Sequence, residues 1–319
     1  MNTEVRPYSP EDADAWDQLV TESWNGTFLH SKRFLQYHKD RFQDLSLVIE
    51  GADQGLIGVF PAAVDPDDPS RVVSHPGITY GGVVHRGGLL GMRMLGALEG
   101  ICDYYRSRGM RSLRYKVVPS TYHRCPAADD LYALFRLQAD RYRCDLSAAI
   151  DLANRPKPAP GRPEQVRRAQ RRGVHLEVGP QFLRPFWGIL TANLRDRHEA
   201  APVHTLDEIE FLHSLFPENI ICVAAIAEGE VVAGDVTFRT DRVDHGQYCS
   251  STPEGRRLNA VPFLVEHCIS MAAADGLRYF DMGISNEQEG MVLNEGLHKF
   301  KAEFGAGGVV HEFYELRLQ

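Results

Sequence analysis

Residues 243–305 decide the fold, and their sequence is VDHGQYCSSTPEGRRLNAVPFLVEHCISMAAADGLRYFDMGISNEQEGMVLNEGLHKFKAEFG. Alternating residues over 243–250 predict a strand, and the apolar run 259–274 predicts a helix. A second strand over 277–284 and a second helix over 293–304 follow. Each helix is closed by a glycine, the residue typical of helix C-termini. A strand joined to the next strand through a helix is typical of a crossover connection in a sheet.

Two helices and two strands precede this stretch in the second half of the chain. Thr205 is a suitable N-cap for the second of these helices, and Gly229 marks a tight turn between the two strands. The predicted elements are helices 181–197 and 206–215, strands 220–227 and 231–239, and, beyond residue 305, a last strand at 309–318.

The first half repeats this order of elements. Antiparallel strands followed by a crossover helix, twice over, predict an α+β chain of two tandem domains, each a mixed, mostly antiparallel sheet flanked by helices. The repeat lies in element order and not in residue identity. The predicted elements are a helix at 10–20, a helix ending at Lys39, strands at 45–50 and 56–64, an apolar segment at 72–85, a helix at 89–108, a strand at 112–118, a helix at 129–138 and a strand at 144–152.

A segment rich in proline and arginine separates the two halves. Four prolines between residues 156 and 163 predict an extended linker, and five arginines between residues 162 and 172 predict a short basic helix. We therefore predict domains at 1–153 and 174–319, joined by a basic linker helix at 154–173. A solvated helix is the simplest interpretation of these arginines, and contact with a tRNA backbone is the alternative.

Composition limits the function classes. The chain has 319 residues, 43% of them hydrophobic, which is enough for two domains with separate cores. The formal net charge of -8 argues against a global basic surface for nucleic acid. A polar N-terminus, no apolar run long enough to cross a bilayer, and six cysteines without a C-x-x-C pair predict a cytoplasmic protein with buried thiols and no membrane span.

Short motifs within this frame resemble a known family. Pro253–Leu264 resembles the donor-binding turn and helix start of GNAT acyltransferases, with Arg256 at the arginine of that pattern. Asn259 and Val261 stand where that pattern usually has small residues.

Motifs in both halves carry the resemblance further. Phe280–Ser285 and Leu293–Gly305 resemble the FemAB-like, or BioF2-like, tandem GNAT proteins, and Asn25–His30 and Tyr80–Gly82 are similar to the same family. The resemblance implies two GNAT-type domains, acyl transfer to an amine, and a site carried mainly by the second domain. It implies acyl-CoA or aminoacyl-tRNA as a co-substrate, with no tightly bound cofactor, and it points to Lys301.

The donor segment can be assessed from its residues. A donor pyrophosphate needs backbone N–H groups at a helix N-terminus. Asn259 can adopt the left-handed conformation, whereas Val261 cannot do so easily, and Pro262 has no N–H to donate. The phosphate cradle is therefore less regular than in standard acetyltransferases, and a solvated loop is the alternative. The donor-binding candidates are Arg256, Arg257, Asn259 and Lys299.

The catalytic candidates follow from the chemistry of an amine nucleophile, which must lose a proton. Histidine is the usual base near neutral pH. Alternation over 243–250 puts His245, Gln247 and Cys249 on one strand face, with Tyr248 on the other as a proton donor to the leaving group. Asp281 can pair with an ammonium, and Lys301 can stabilise an oxyanion. The structural alternatives are that His245 is a core histidine, that Asp281 caps a loop and that Lys301 is a surface lysine.

The acceptor candidates lie on loops of the second half. Basic residues between the two helices at 181–215 can hold an anionic acceptor, and polar residues follow the strand at 277–284. No residues have a recognised metal-ligand spacing, so we predict no metal. The acceptor-binding candidates are Arg197, His198, His204, Ser285, Asn286, Glu287 and Asn294.

Three functions remain open from the sequence. The first is an N-acyltransferase that moves an acyl group, expected to be acetyl from acetyl-CoA, onto an amine of an amino sugar, amino acid or cell-surface precursor. The second is a FemAB-type transferase that takes an aminoacyl group from tRNA. The third is a non-catalytic binding protein on the same scaffold. The acidic balance favours the first function, and the irregular glycine pattern favours the second. The sequence indicates no oligomeric state.

Overall fold

The computed structural model describes residues 3–52, 55–198 and 200–318, and the side chains of residues 197 and 198 lie outside the description. Contacts divide the chain into two compact units. Unit 1 contains residues 1–146, 286–292 and 310–319. Unit 2 contains residues 147–285 and 293–309.

The elements before residue 140 all belong to unit 1. They are β1 (Thr3–Pro7), α1 (Ala13–Glu22), α2 (Lys32–Leu35), β2 (Leu47–Gly51), β3 (Gly55–Phe60), β4 (Ala63–Asp65), β5 (Asp68–Val73), β6 (Val84–His85), α3 (Met92–Arg106), β7 (Ser112–Lys116) and α4 (Asp129–Arg136).

The elements from residue 140 onward are longer on average. They are β8 (Asp140–Asp151), α5 (Gly161–Arg171), β9 (His175–Val178), α6 (Leu183–His198), α7 (Leu206–Leu215), β10 (Ile220–Ala227), β11 (Glu230–Arg239), β12 (Val243–Ser251), α8 (Pro253–Arg257), α9 (Ala260–Ala274), β13 (Tyr279–Ile284), β14 (Asn286–Glu287), β15 (Val292–Leu293), α10 (Glu295–Ala302) and β16 (Gly307–Arg317).

The strands of unit 1 fall into two groups. Strands β1, β2, β3 and β6 are neighbours in that order and antiparallel, which confirms the hairpin predicted at 45–64. Strands β4, β5, β7 and β16 are neighbours in that order, with β5 and β7 parallel. Strand β1 is not predicted from the sequence, because its five residues have no clear apolar alternation.

The N-terminal motifs of unit 1 form a buried hydrogen-bond network. Nδ2 of Asn25 donates to the Val83 carbonyl oxygen at 2.8 Å. The His30 ring, fully buried, has Nε2 at 3.3 Å from the Gly81 carbonyl oxygen. The Tyr80 hydroxyl lies 3.3 Å from Oγ1 of Thr27. These motif residues therefore stabilise the fold of unit 1.

Unit 2 is built on strands in the order β8, β13, β12, β11, β10, β9. Only β12 and β13 are parallel neighbours, and α9 is the crossover between them. Helix α9 packs on β10, β11 and β12 through Leu264, Cys268 and other buried residues. Helix α6 packs on β11 and β12. The crossover predicted from residues 243–284 is confirmed.

The two units differ from the predicted domain ranges at residues 147–173, which lie in unit 2, and at residues 286–292 and 310–319, which lie in unit 1. Segment 154–173, predicted as a linker, lies inside unit 2. Strand β16 returns to unit 1 from residue 310, because its register with β7 runs from Phe313 to Arg317. Long-range strand pairing of this kind leaves no local signal in the sequence. That residues 1–153 and 174–319 form separate domains stays a prediction.

Helix α5 is basic, yet part of it belongs to the core of unit 2. The Arg162 guanidinium lies 4.3 Å from the Phe300 ring and 4.4 Å from the Phe304 ring. It also donates to the Phe300 carbonyl oxygen at 3.0 Å and to Glu303 at 2.8 Å. Replacing Arg162 removes packing, a cation–π contact and these hydrogen bonds together.

Arg162→Ala is expected to lower the free energy of unfolding by about 2 to 3 kcal/mol. Arg167→Ala is the matched control, because Arg167 lies on the same helix with its side chain 59% exposed. We expect that control to change stability by less than about 0.5 kcal/mol. Urea unfolding measures both values. Equal midpoints for the two variants would show that α5 is a solvated linker after all.

The helices of the described residues are all too short or too polar to cross a bilayer. Among the same residues, no cluster of three or more His, Cys, Asp or Glu side chains has a metal-binding arrangement. The absence of a metal stays a prediction.

Candidate active site

Strands β12 and β13 of unit 2 pair only at their first residues. Their parallel register covers three pairs, from Val243/Tyr279 to His245/Asp281. Beyond His245, strand β12 continues along β11, and the register shifts by one residue between Val236 and Thr237. A β-bulge of this kind bends the strand that carries the extra residue. The two strands therefore separate after the third pair.

Two glycines border the separation. A Cβ at Gly283 would lie 3.8 Å from the Gly246 carbonyl oxygen and 3.5 Å from the His245 ring. Gly283 has a φ of +75°, a conformation that side chains rarely tolerate. A Cβ at Gly246 would lie 3.7 Å from the Asp281 carbonyl oxygen. A methyl group at either position would therefore be in ordinary van der Waals contact with the facing strand, and no side chain lies between the backbones there.

His245 and Asp281 form a polar contact beside this point. Nδ1 of His245 lies 3.2 Å from Oδ2 of Asp281. The Ser147 hydroxyl donates to Oδ1 of Asp281 at 2.5 Å, and the Gly283 N–H donates to the same oxygen at 2.9 Å. Asp281 is buried and oriented by these bonds. When Nδ1 carries the proton and donates it to the carboxylate, Nε2 keeps the lone pair of the neutral ring. A general base needs such a lone pair.

Lys301 reaches the same strand from α10. Its ammonium donates to the Gly283 carbonyl oxygen at 2.8 Å and to the Ile284 carbonyl oxygen at 2.7 Å. An ammonium has three donors, so one N–H is left beyond these two bonds. Burial lowers the pKa of Lys301 to about 8, opposed by the nearby Asp281 carboxylate. The predicted residues Lys301, Asp281 and His245 therefore come together at one place in unit 2.

Two residues that the sequence analysis did not select lie next to this group. Asp235 on β11 is directly opposite Cys249 on β12. Burial raises the pKa of Asp235 to about 7. A signal was present, because Asp235 is the only charged residue between Val231 and Phe238. An unexplained charge within an apolar strand indicates a functional role.

The predicted face of Cys249 is wrong, and so is its predicted burial. Because Phe238 and Val236 share a face of β11, their partners His245 and Tyr248 share a face of β12. Cys249, opposite Asp235, lies on the other face. The bulge causes this change of face, because one extra residue in β12 inverts the alternation of its side chains. Cys249 is exposed, whereas Cys102, Cys222 and Cys268 are buried as predicted.

Tyr248 and His204 form a buried pair. Nδ1 of His204 lies 2.6 Å from the Tyr248 hydroxyl oxygen, and the His204 backbone N–H donates to that oxygen at 3.3 Å. The Trp187 ring packs edge-on against Tyr248 at 5.0 Å. Burial raises the pKa of Tyr248 to about 12. The pair attaches the loop before α7 to β12, and their predicted catalytic and acceptor-binding roles stay predictions.

Tyr248→Phe is expected to lower the free energy of unfolding by about 1 to 2 kcal/mol, because His204 loses a buried hydrogen-bond partner. Differential scanning calorimetry measures the change. A catalytic role predicts in addition a large fall in kcat. A fall in kcat without a change in Tm would assign Tyr248 to proton transfer, and a change in Tm alone would assign it to the loop.

The donor-binding candidates border the start of α9. Asn259 has the left-handed conformation, with a φ of 60°, and precedes α9 as its N-cap. Nη1 of Arg256 donates to the Ser251 carbonyl oxygen at 2.9 Å. Arg257 forms an ion pair with Glu254, and Lys299 is exposed on α10. Their role in donor binding stays a prediction.

Two of the other acceptor-binding candidates are neighbours, since the Asn294 backbone N–H donates to the Ser285 carbonyl oxygen at 2.8 Å. Ser285 is buried, and the Asn294 side chain caps α10 by accepting from the Leu297 N–H at 3.0 Å. In unit 1, Asn286 accepts from the Leu146 N–H and donates to the Gly290 carbonyl oxygen, and Glu287 is exposed. The side chains of Arg197 and His198 lie outside the described residues.

Comparison with protein-family models found a match to part of unit 2 and its border with unit 1 in the sequence. Residues 162–290 match the family model described as an acetyltransferase (GNAT) domain. Comparison with curated protein sequences found no match.

Three solved structures share the fold. The crystal structure of FemX has a TM-score of 0.69 at 12% identity, over 98% of this chain and 97% of that one. L-PGS from Bacillus licheniformis has a TM-score of 0.64 at 14% identity, over 98% and 93%. A tandem GNAT protein from the clavulanic acid biosynthesis pathway has a TM-score of 0.52 at 12% identity, over 100% and 99%.

The matched domain and the shared fold define the class of the protein, an acyltransferase of the GNAT type. The chain also shares its fold with FemX, L-PGS and the tandem GNAT protein, in line with the resemblance of its motifs to the FemAB-like tandem GNAT proteins. The third function considered from sequence, a non-catalytic binding protein, is therefore set aside.

Proposed function

We propose that this protein transfers an acyl group, expected to be acetyl from acetyl-CoA, onto the amine of an amino sugar, amino acid or cell-surface precursor. The observation that carries the proposal is the oriented His245–Asp281 pair at the point where β12 and β13 separate. A base fixed by a buried carboxylate at such a point is suited to deprotonate an amine.

The reaction follows from the positions of three groups. The acyl carbonyl group lies where the strands part, and the amine attacks its carbon. Nε2 of His245 takes the proton that the amine loses, and Asp281 stabilises the resulting imidazolium. The Lys301 ammonium stabilises the negative charge that develops on the carbonyl oxygen. Gly246 and Gly283 put no side chain between the strands at this point.

The start of α9 is the proposed contact for the donor phosphates. Ala260 and Val261 occupy its first two positions, and the partial positive charge of the helix N-terminus adds to their N–H groups. Arg256, held on the Ser251 carbonyl oxygen, lies just before this turn. We therefore favour a donor with a pyrophosphate, which is acyl-CoA.

One observation favours aminoacyl-tRNA as the alternative donor. Pro262 is the third residue of α9 and has no N–H, so the first turn offers fewer donors to a phosphate than a regular helix. A tRNA ester would depend less on this turn than CoA does. Two of the exposed arginines of α5, Arg167 and Arg171, are already paired with Glu164, which weakens this alternative.

Isothermal titration calorimetry with CoA thioesters and with charged tRNA tests the donor. We expect heat with acetyl-CoA and a weaker response after Arg256→Ala. His267→Gln, a histidine change on the outer part of α9, should bind acetyl-CoA like the wild type. Turnover on charged tRNA, together with no heat from any CoA thioester, would replace the acyl-CoA proposal by the alternative.

A further inference from the structure

Strand β13 carries an apolar residue on the same face as the His245–Asp281 pair. In the register with β8, Asp281 is opposite Ala149. Ile284 is opposite Ser147, so three steps along β13 match two steps along β8, and the extra residue forms a β-bulge. Ala149 and Ser147 share a face of β8, and their partners therefore share the matching face of β13. The hydrogen bond of 2.5 Å from Ser147 to Asp281 agrees with this placement.

Two helices of unit 2 cover opposite faces of this sheet. A Cβ at Gly234 on β11 would meet a phenylalanine ring of α6, so α6 covers the face of Gly234. Ala233, the preceding residue, belongs to the core cluster of α9, so α9 covers the other face. Phe238 shares the face of Gly234, and His245 is opposite Phe238. The candidate base and Ile284 therefore lie on the face that α6 covers, away from α9.

Ile284 belongs to a group of exposed aliphatic residues. It is the exposed residue of β13, whereas Phe280 and Asp281 on the same strand are buried. Leu293, just before α10, and Leu297, within α10, are exposed to a similar extent. Each of the three is more than one third exposed. We call Ile284, Leu293 and Leu297 the apolar rim.

Hydrogen bonds place the apolar rim around Lys301. The Lys301 ammonium donates to the Ile284 carbonyl oxygen at 2.7 Å, so α10 lies against the end of β13. Leu297 is one turn before Lys301 and lies on the same side of α10. The residue after Leu293 donates its backbone N–H to the carbonyl oxygen of the residue after Ile284, at 2.8 Å. Aliphatic side chains that cluster beside polar groups in this way indicate a binding surface.

The size and the face of the apolar rim favour the acceptor as its ligand. Exposed aliphatic side chains gain free energy when an apolar chain removes them from water. An acetyl group offers a single methyl group, which is too small to cover three side chains. The proposed contact of the donor phosphates is the start of α9, and α9 covers the other face of the sheet. The apolar rim, on the face of His245, is therefore left for the molecule that carries the amine.

We propose that the acceptor is an amine with an apolar chain, such as an alkylamine or an amino acid with a large aliphatic side chain. Ile284, Leu293 and Leu297 bind this chain and thereby determine specificity. The inference rests on the proposed function and narrows its acceptor class. An amino sugar fits less well, because it would place hydroxyl groups against aliphatic side chains that offer no hydrogen-bond partner.

Binding of reaction products tests the apolar rim without turnover. N-alkylacetamides from propyl to octyl are uncharged products of the proposed reaction, and isothermal titration calorimetry in the presence of CoA measures their Kd. We expect Kd to fall by about two- to fourfold for each added methylene, because each methylene removes apolar surface from water. An equal Kd for the propyl and octyl amides would overturn the inference.

Three variants connect this dependence to the apolar rim. The double change Leu293→Ala with Leu297→Ala should weaken binding of the octyl amide by about tenfold or more, and that of the propyl amide by less. Leu297→Met keeps the apolar area and should retain the dependence on chain length. Val178→Ala is the matched control, because Val178 is an exposed aliphatic residue on β9, at the far end of the strand order. It should bind every amide like the wild type.

Steady-state kinetics separates the acceptor chain from the acyl chain. With acetyl-CoA, kcat/KM for octylamine should exceed the values for propylamine and for glucosamine by about tenfold or more. With propylamine as the acceptor, octanoyl-CoA should react no faster than acetyl-CoA. A preference for octanoyl-CoA that disappears in the double variant would assign the apolar rim to the acyl chain and overturn the inference.

The remaining outcomes distinguish this inference from the proposed function. A dependence of Kd on chain length that is unchanged in the double variant would overturn the role of the apolar rim. Faster acetylation of glucosamine than of octylamine would do the same, and both results would leave acyl transfer from CoA intact. No heat from any CoA thioester would remove the proposed donor, and the assignment of the apolar rim to the acceptor with it.

Discussion

Lys301→Ala is expected to lower kcat by about 10²- to 10³-fold, with little change in the KM for the donor. The ammonium stabilises negative charge that exists only once the carbonyl carbon has been attacked, so its loss affects the transition state more than binding. The position of Lys301, held by two backbone carbonyl oxygens, fixes the direction of its remaining N–H. Steady-state kinetics with acetyl-CoA measures the effect.

Two variants separate charge from packing at this position. Lys301→Met keeps the aliphatic stem and should lose as much activity as Lys301→Ala while retaining the wild-type Tm. Lys157→Ala is the matched control, because Lys157 is an exposed lysine of unit 2. It should leave kcat unchanged. A kcat for Lys301→Met within about threefold of the wild type would exclude a role for the charge.

The pH dependence gives a second measurement of the same charge. Burial lowers the pKa of Lys301 to about 8. As the pH rises through this value the ammonium loses its proton, and kcat should fall on the alkaline side. Lys301→Arg should remove this fall, because a guanidinium stays protonated over the whole range. An alkaline fall that is unchanged in Lys301→Arg would assign it to another group.

His245→Ala is expected to lower kcat by about 10²- to 10⁴-fold, the range found for loss of a general base. The imidazole is the group at the strand separation that is oriented by a buried carboxylate. Added imidazole should restore part of the activity, because it can enter the space left by the side chain. His267→Gln is the control, and its kcat should match the wild type.

Asp281→Asn tests whether Asp281 orients His245 for catalysis or only stabilises the fold. An amide keeps the shape of the carboxylate and can still accept from Ser147 and Gly283, so the Tm should fall only slightly. The amide can present its N–H₂ group to His245 and favour the wrong tautomer, so kcat should fall by about 10²-fold or more. Equal kcat in Asp281→Asn and the wild type, or no rescue of His245→Ala by imidazole, would contradict the assigned base.

Most elements of unit 2 could be predicted from the sequence, because their signals are local. The apolar run before Gly276 and the helix before Gly305 are where they were expected, and both glycines have positive φ values. Thr205 caps α7 as predicted, by accepting from the Glu208 N–H. Turn, cap and periodicity signals depend on a few neighbouring residues, so they can be recognised without knowledge of the fold.

Part of the candidate site could also be predicted. His245, Asp281 and Lys301 were selected as single residues of suitable chemistry, and the fold brings them together. Asp235 and Cys249 were not selected, because a carboxylate and a thiol opposite each other on two strands have no fixed spacing in the sequence. Ser147, which orients Asp281, is far from it along the chain for the same reason.

The order of elements, the crossover and the residue types of the site can be read from local patterns along the chain. The strand faces that those residues occupy depend on long-range pairing and cannot be read in that way. The bulge in β12 is the physical reason, because it appears only in the register with β11, and it places Tyr248 with His245 and moves Cys249 to the face of Asp235. The same holds for Arg162, whose burial between two phenylalanine rings follows from packing and not from the basic pattern of its helix.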